Sequence, residues 1–277
     1  AANARYEQVL EIDHKVLALT GETPDALRNL SIKLDWLGFL QRGHGRLDAA
    51  TARHEQALEI HHKVLALSGE TPEVLSDLSV SLQRLGYVEE LRDQLEAATA
   101  RYEQVLEIHH KVLALSGETP EALRVLSVSL QRLGSVEELR GQLGAATGRY
   151  EQMLETTHKV LALTGETPEV LSDLSVSLQR LGYVEESRDQ LEAAAARYVE
   201  ALEIDRKVLA LTGETPEALR NLSFSLLHVG DIEYVRDQLD AATALYEQAL
   251  QICRKVLAHD GETPQALRGL SVSLGRL

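Results

Sequence analysis

The tetrapeptide Gly-Glu-Thr-Pro constrains this chain more than any other feature. It occurs at 21–24, 69–72, 117–120, 165–168, 213–216 and 261–264, always 48 residues apart, and every proline of the protein lies in one of these six copies. Each copy reads as a junction between two helices. The glycine, in the left-handed conformation, closes the helix before it. The threonine caps the next helix, with proline at its first position, where a missing N–H leaves nothing unsatisfied. An acidic residue such as Asp25, Glu73 or Glu121 follows in the first turn, against the positive end of the helix dipole. Self-similarity at a period of this length marks a solenoid, in which each unit covers its apolar face with the next.

Alignment at that period gives blocks 1–48, 49–96, 97–144, 145–192 and 193–240 and a partial block 241–277, which read as one array over 1–277. Each block opens with a helix, here called B. In the third block it spans Ala97 to Leu115, with Ala98, Tyr102, Val105, Leu106, Val112 and Leu113 recurring at three- and four-residue steps. Glu107 and Lys111 form a favourably oriented i,i+4 pair, repeated at Glu11–Lys15, Glu59–Lys63, Glu155–Lys159 and Glu203–Lys207. Helix A follows the junction, from Pro120 to about Arg140, with the apolar line Leu123, Leu126, Leu130, Leu133 and Val136. A short turn near Gly141–Gly144 leads into the next helix B. No stretch alternates with a two-residue period, so the fold is all-α. With 44% hydrophobic but only 4% aromatic residues, its helices pack through aliphatic side chains.

Charge narrows the partners. At a net −15, from 43 acidic and 28 basic residues, the chain is a poor match for nucleic acid or anionic membrane; a basic peptide or protein surface fits better. The one cysteine, Cys253, excludes an internal disulfide and reads as a buried, inert thiol. No apolar run approaches the ~20 residues that a membrane span needs. The first residues, Ala-Ala-Asn-Ala-Arg-Tyr, read as repeat and not as a signal peptide. These features favour a cytoplasmic location, or an extracellular one if the chain forms a filament.

Chemistry finds little support. His14, His62, His110 and His158 share a column, with His61 and His109 beside two of them, and each follows a glutamate by three residues. That echoes the Glu-x-x-His element of di-metal bundles. Equivalent helices of adjacent repeats are separated by an intervening helix, so two such columns cannot share an ion at packing steps of ~8–10 Å. Both columns are therefore expected on a solvated face. His54-Glu55-Gln56-Ala57-Leu58 begins like a zinc-protease helix but has Leu58 where the second ligand belongs. Ser79, Ser81, Ser127, Ser129, Ser175 and Ser177 lie on helix A with no His and Asp arrangement in view, and read as small residues that permit close packing. No metal, no cofactor and no catalysis are expected.

The order Leu85-Gly86, Leu95, Ala98, Tyr102 and Val105 resembles the tetratricopeptide repeat, as do Leu37-Gly38, Ala50, His54, Ala57 and Leu181-Gly182, Ala194, Tyr198, Ala201. The turn glycine of that pattern stands at Gly45 and Gly141 and is replaced by Asp93, Asp189 and Asp237, which tolerate a left-handed backbone. The usual repeat has 34 residues against 48 here, which fits longer helices and a taller groove. The resemblance implies a right-handed α-solenoid of about six helical hairpins, a non-catalytic scaffold binding a peptide or protein on its concave helix A surface. Its peptide-contacting positions fall on Val80, Gln83 and Tyr87; Val128, Gln131 and Ser135; Val176, Gln179 and Tyr183; and Phe224, Leu227 and Asp231. Glu90, Glu138 and Glu186 add negative charge that suits basic residues in an extended peptide. The Lys and Asn set that clamps a C-terminal carboxylate in some members is missing. Trp36 beside Phe39 reads either as an anchor for a partner near one end or as a surface that packs against a neighbouring subunit or flanking domain. The chain opens at the start of a helix B and stops at Leu277, midway through a helix A, without polar capping helices. Two expectations stand: an excerpt of a longer array, or a subunit assembling head to tail into a filament.

Overall fold

A computed structural model describes the backbone of residues 2–277 and all side chains there except those of residues 2–7, 14 and 20. Among these residues there are twelve helices and no strand. The B helices are α1 (Ala2–Thr20), α3 (Leu47–Ser68), α5 (Leu95–Ser116), α7 (Leu143–Thr164), α9 (Leu191–Thr212) and α11 (Leu239–Asp260). The A helices are α2 (Pro24–Gly43), α4 (Pro72–Leu91), α6 (Pro120–Leu139), α8 (Pro168–Ser187), α10 (Pro216–Val235) and α12 (Pro264–Arg276). Thus the all-α reading and the alternation of two helices per block hold.

The junctions act as caps, with one correction. Thr71 sits extended at φ −104°, ψ 155°, and its hydroxyl accepts the Val74 N–H at 3.3 Å while Pro72 opens α4. Gly69 is not left-handed helical: at φ 76° and ψ −178° it occupies an extended mirror-image region that is essentially closed to side chains. Only glycine turns the chain here without strain. At the other end of α4 the Gln94 N–H bonds the Glu89 carbonyl at 2.9 Å and the Asp93 N–H bonds that of Glu90 at 3.0 Å, a Schellman closure. Asp93, Asp189 and Asp237 there carry φ of 59–61°, in the place of Gly45 and Gly141 at 72°.

The chain forms two compact units, Ala1–Gln142 and Leu143–Leu277. Within the first, α2 packs against α3 and α4 against α5; within the second, α8 packs against α9 and α10 against α11. The Leu-Gly column makes that packing close. A Cβ on Gly86 would stand 3.0 Å from the Tyr102 ring, and one on Gly230 would stand 2.5 Å from Tyr246. The expected leucine line of α6, from Leu123 to Val136, is buried throughout. In the first unit Leu75, Leu78 and Leu82 meet Val105 and Ile108, each such side chain contributing ~1.5–3 kcal/mol on burial. The i,i+4 pairs are mostly replaced by longer-range ones. Lys63 lies 4.0 Å from Glu59 but 3.8 Å from Glu22, and Lys111 bonds Glu70 at 2.8 Å. Lys207 and Lys255 likewise reach Glu166 and Glu214. The glutamate of each of these junctions thus ties down the next helix B.

The core also contains polar groups that the sequence reading put elsewhere. His62, His110 and His158 are exposed as expected, and the His14 side chain lies outside the described residues. His61 and His109 are buried. Their column continues as Thr157, Asp205 and Cys253, all facing the helix A that follows. His109 lies with Nδ1 2.6 Å from the Ser129 hydroxyl and Nε2 3.0 Å from that of Ser79. Thr157 and Ser177 meet at 3.1 Å, and the Cys253 thiol is 3.3 Å from Ser273. The helix A serines are therefore bonding partners as well as small residues. Burial, helped by neighbouring His110, pushes the His109 imidazole down to about 4, so it is neutral.

Two nodes hold a buried carboxylate. In the first unit Asp35 of α2 takes the Ser81 hydroxyl at 2.7 Å, pairs with His54 Nδ1 at 2.7 Å, and has His61 Nε2 and Arg84 at 3.9 Å. Burial works against its charge, yet the contacts with His54, His61 and Ser81 and the Arg84 charge hold it down to about 2. In the second unit Asp205 of α9 accepts from Ser225 at 2.6 Å and Gln179 at 3.3 Å. Here burial prevails over the hydrogen bonds and the carboxyl is pushed up.

Candidate binding face

With their leucine lines turned inward, α2, α4, α6, α8 and α10 each leave a stripe toward solvent. Within the first unit that stripe carries Ile32, Trp36 and Phe39 on α2, Val80 on α4, and Val125 and Val128 on α6, all exposed, with Tyr87 half-buried on α4. Within the second it carries Tyr183 on α8 and Phe224 on α10. The helix B tyrosines Tyr102, Tyr150 and Tyr198 are instead fully buried. Among the described residues the aromatic side chains are thus divided by helix: core on B, partly or fully in solvent on A.

The residues expected to contact a partner do not all reach that stripe. Val80, Val128, Tyr183 and Phe224 are exposed, and Gln83, Tyr87, Gln131, Ser135, Val176 and Asp231 are partly so. Gln179 is buried, its amide donating to Ser175 at 3.0 Å, Ser225 at 2.9 Å and Asp205 at 3.3 Å. Leu227 is buried in the core of the second unit. Neither side chain is presented to a ligand.

The carboxylates have a second duty. The Tyr102 hydroxyl donates to Glu90 at 3.1 Å, Tyr198 to Glu186 at 2.8 Å, and Tyr246 to Asp231 at 2.8 Å. Burial first, and then these carboxylates, push all three tyrosines well above their ordinary range. Asp231 also pairs with Arg276 at 2.9 Å. Glu138 is half-buried.

Around Tyr87 the first unit gathers positive charge that no single column reveals. The Arg42 guanidinium lies 4.5 Å from the Tyr87 ring centre and 4.8 Å from that of Phe39. Arg132 lies 5.6 Å from the same tyrosine, and Arg84 lies 5.6 Å from Trp36. Trp36 and Phe39 meet edge to face at 5.7 Å. Guanidinium over an aromatic face is attractive and keeps both groups in place. In the second unit the corresponding stripe is neutralised and stacked: His228 lies flat on Tyr198 at 4.5 Å and against Phe224 at 4.4 Å. Burial pushes His228 down to about 4. The visible signal for the arginine cluster was the charge reversal at Arg42, where later repeats have Glu90, Glu138, Glu186 and Tyr234.

Among the described residues no group of three or more His, Cys, Asp or Glu could hold a metal ion, and no helix is long and apolar enough to cross a membrane. The face offers aromatic rings, amides and charges.

Comparison with known proteins agrees with this architecture. Residues 169–206 and 225–261 match the family model of the tetratricopeptide repeat, each segment running from a helix A into the following helix B. These two segments are tetratricopeptide repeats. No curated protein matches it. Among solved structures, this chain is similar to BtubC (BKLC) from P. vanneervenii, with a TM-score of 0.71 and 18% identity over 95% of this chain and 92% of that one. It is also similar to a Podosopora anserina putative kinesin light chain with nearly identical TPR-like repeats, at TM-score 0.59 and 22% identity, covering 87% and 99%. The apo form of RapI gives a TM-score of 0.61 at 12% identity, covering 88% and 82%. Identities this low show a shared fold.

Proposed function

We infer that this tetratricopeptide array is a non-catalytic scaffold that binds an extended peptide or protein segment along the exposed stripe of its A helices. The observation that carries this is the division of aromatics, buried on helix B but left in solvent on helix A as Trp36, Phe39 and Tyr183. Such side chains dominate interface energetics when a partner covers them. We also read 1–277 as one array, since the 48-residue spacing of the junctions runs unbroken through the chain. In the second unit Tyr183 with Glu186 and Asp231 suits a segment carrying basic residues. The test is capture of partners from cell extract by the parent chain and by a Tyr87→Ala, Tyr183→Ala variant with an unchanged unfolding temperature. Loss of capture is expected; a full complement of partners on the variant would sink the reading.

Head-to-tail self-association is a second reading. Ile12 and Leu19 on α1, and Val272 and Leu274 on α12, are exposed apolar side chains that a second copy would cover. It predicts scattering intensity that climbs with protein concentration and fibres in negative stain. Monomers throughout would remove it.

A further inference from the structure

The net charge of the whole chain conceals a local reversal. In the first unit a cleft of about 330 Å³ is lined by Phe39, Arg42, Gln83, Arg84, Tyr87 and Arg132 together with the Tyr102 ring, and none of its described lining residues is acidic. Among the described residues no carboxylate forms an ion pair with Arg42 or Arg132. Arg84 has Asp35 at 3.9 Å, but that carboxylate is already engaged by His54 and Ser81. Glu90, beside the cleft, is occupied by the Tyr102 hydroxyl. Of the three guanidiniums only Arg84 has a carboxylate beside it, so Arg42 and Arg132 keep a net positive charge in the cleft that a bound anion relieves. The rings of Tyr87, Phe39 and Trp36 position the guanidiniums from one side and leave their N–H edges to form paired bonds with a carboxylate.

We propose that this cleft binds acidic side chains of a polypeptide partner, each carboxylate gripped by the guanidinium forks while apolar neighbours pack on Tyr87, Phe39 and Trp36. The inference rests on the helix A stripe being a peptide-binding face and assigns the ligand chemistry of its first unit. A peptide fits better than a nucleic acid. The surrounding chain, at −15, repels a long polyanion, whereas a short acidic segment feels mainly the cleft within a screening length of ~8 Å. The sign is opposite to that of the second unit, where the carboxylates Glu186 and Asp231 accept from Tyr198 and Tyr246.

The experiment is selection of phage-displayed random peptides on the full chain, followed by anisotropy titration of the enriched peptides and of poly-glutamate and poly-lysine controls. Acidic peptides should be enriched, and their affinity should fall with added salt. Arg42→Glu, which installs the residue of the later repeats, should weaken them about tenfold or more, as loss of a charge-assisted bond predicts. Arg132→Gln, at an exposed position, should weaken them in the same direction without changing thermal unfolding. Enriched peptides that depend on Tyr87 and Tyr183 but show no acidic bias, or ignore both arginine changes, overturn this inference and leave the peptide-binding face standing. No enrichment, or enrichment indifferent to both tyrosines, overturns both. Displacement of the peptides by single-stranded nucleic acid at matched charge overturns the peptide as occupant.

Discussion

Asp35 and Asp205 occupy the same node of the repeat, with their neighbours exchanged. Asp35, His61 and Ser81 stand 144 residues, three periods, before Gln179, Asp205 and Ser225. In the first unit the acid is on helix A and the residue facing it from helix B is histidine. In the second unit the acid is on helix B and helix A supplies a neutral amide. The difference decides the charge state. Imidazole and guanidinium neighbours keep Asp35 ionised at about 2, while hydroxyl and amide donors do not offset burial at Asp205, which is pushed up. One position in the fold therefore holds a paired anion in one unit and a poorly compensated acid in the other. Near-identical repeats specify geometry; the node sets polarity repeat by repeat.

The largest effect expected from this comparison is at Asp35. Asp35→Ala removes the acceptor shared by Ser81 and His54 and the counter-charge of Arg84, leaving buried polar groups unpaired. It should cost about 3–5 kcal/mol, read as a drop in the urea midpoint. The parent shows the matching pH dependence. Its carboxyl is depressed from 3.8 to about 2, so the stability it contributes is complete above pH 3.8 and is lost as pH falls toward 2. A midpoint unchanged by Asp35→Ala would mean that the node does not stabilise the first unit.

Next in size is His109, in the intervening repeat, where the node has histidine without an acid. Its pKa falls from 6.5 to about 4 through burial. The unfolded chain takes up the proton first, so stability is complete above pH 6.5 and declines as pH drops through 6.5 to 4. That amounts to about 3 kcal/mol at most. His109→Gln should flatten this part of the pH–stability curve, with His228, also near 4, retaining its own share. An identical curve for the variant would show that His109 is solvated in solution.

A sharper test exchanges the nodes. Asp35→Gln together with His61→Asp writes the second unit's arrangement into the first. Each single change should destabilise, His61→Asp by placing two carboxylates together. The pair should recover about 1–3 kcal/mol relative to the sum. Strict additivity in this cycle would mean that the two nodes are not equivalent sites.

These nodes also show what was legible beforehand. The helices, their junctions and the leucine lines follow from a 48-residue period laid over a 3.6-residue one, and both are visible along a single stretch. The junction glycine was visible as a turn, but its extended mirror conformation depends on the angle at which the two helices must meet. The nodes were not visible. Ser81, Ser129, Ser177 and Ser225 recur like spacers, and their partners come from two other columns and, in part, from the preceding block. Identity also changes down the buried helix B column, from His61 and His109 to Thr157, Asp205 and Cys253, which hides the position from any search for a repeated residue. The arginine cleft escaped for the same reason: Arg42 and Arg132 meet at Tyr87 from blocks one and three. Its members were readable as columns and unreadable as neighbours.

The smallest change separates the two carboxylates most cleanly. Asp205→Asn keeps the shape of the side chain and one of its two oxygens, which still accepts from Ser225. The amide removes a charge that burial disfavours, so at neutral pH the variant should match or exceed the parent by about 1 kcal/mol, within the range seen when a buried, weakly compensated charge is replaced. The sign follows from the raised pKa. Between 3.8 and its higher folded value Asp205 binds its proton more tightly in the folded chain, so the parent loses stability as pH rises through that interval. The advantage of Asp205→Asn should therefore be absent below about pH 4 and grow above it. Asp35→Asn at the same pH should do the reverse, destabilising most where Asp205→Asn helps. If both asparagine variants moved the urea midpoint in the same direction at pH 7, the assignment of one carboxylate as compensated and the other as strained would fail.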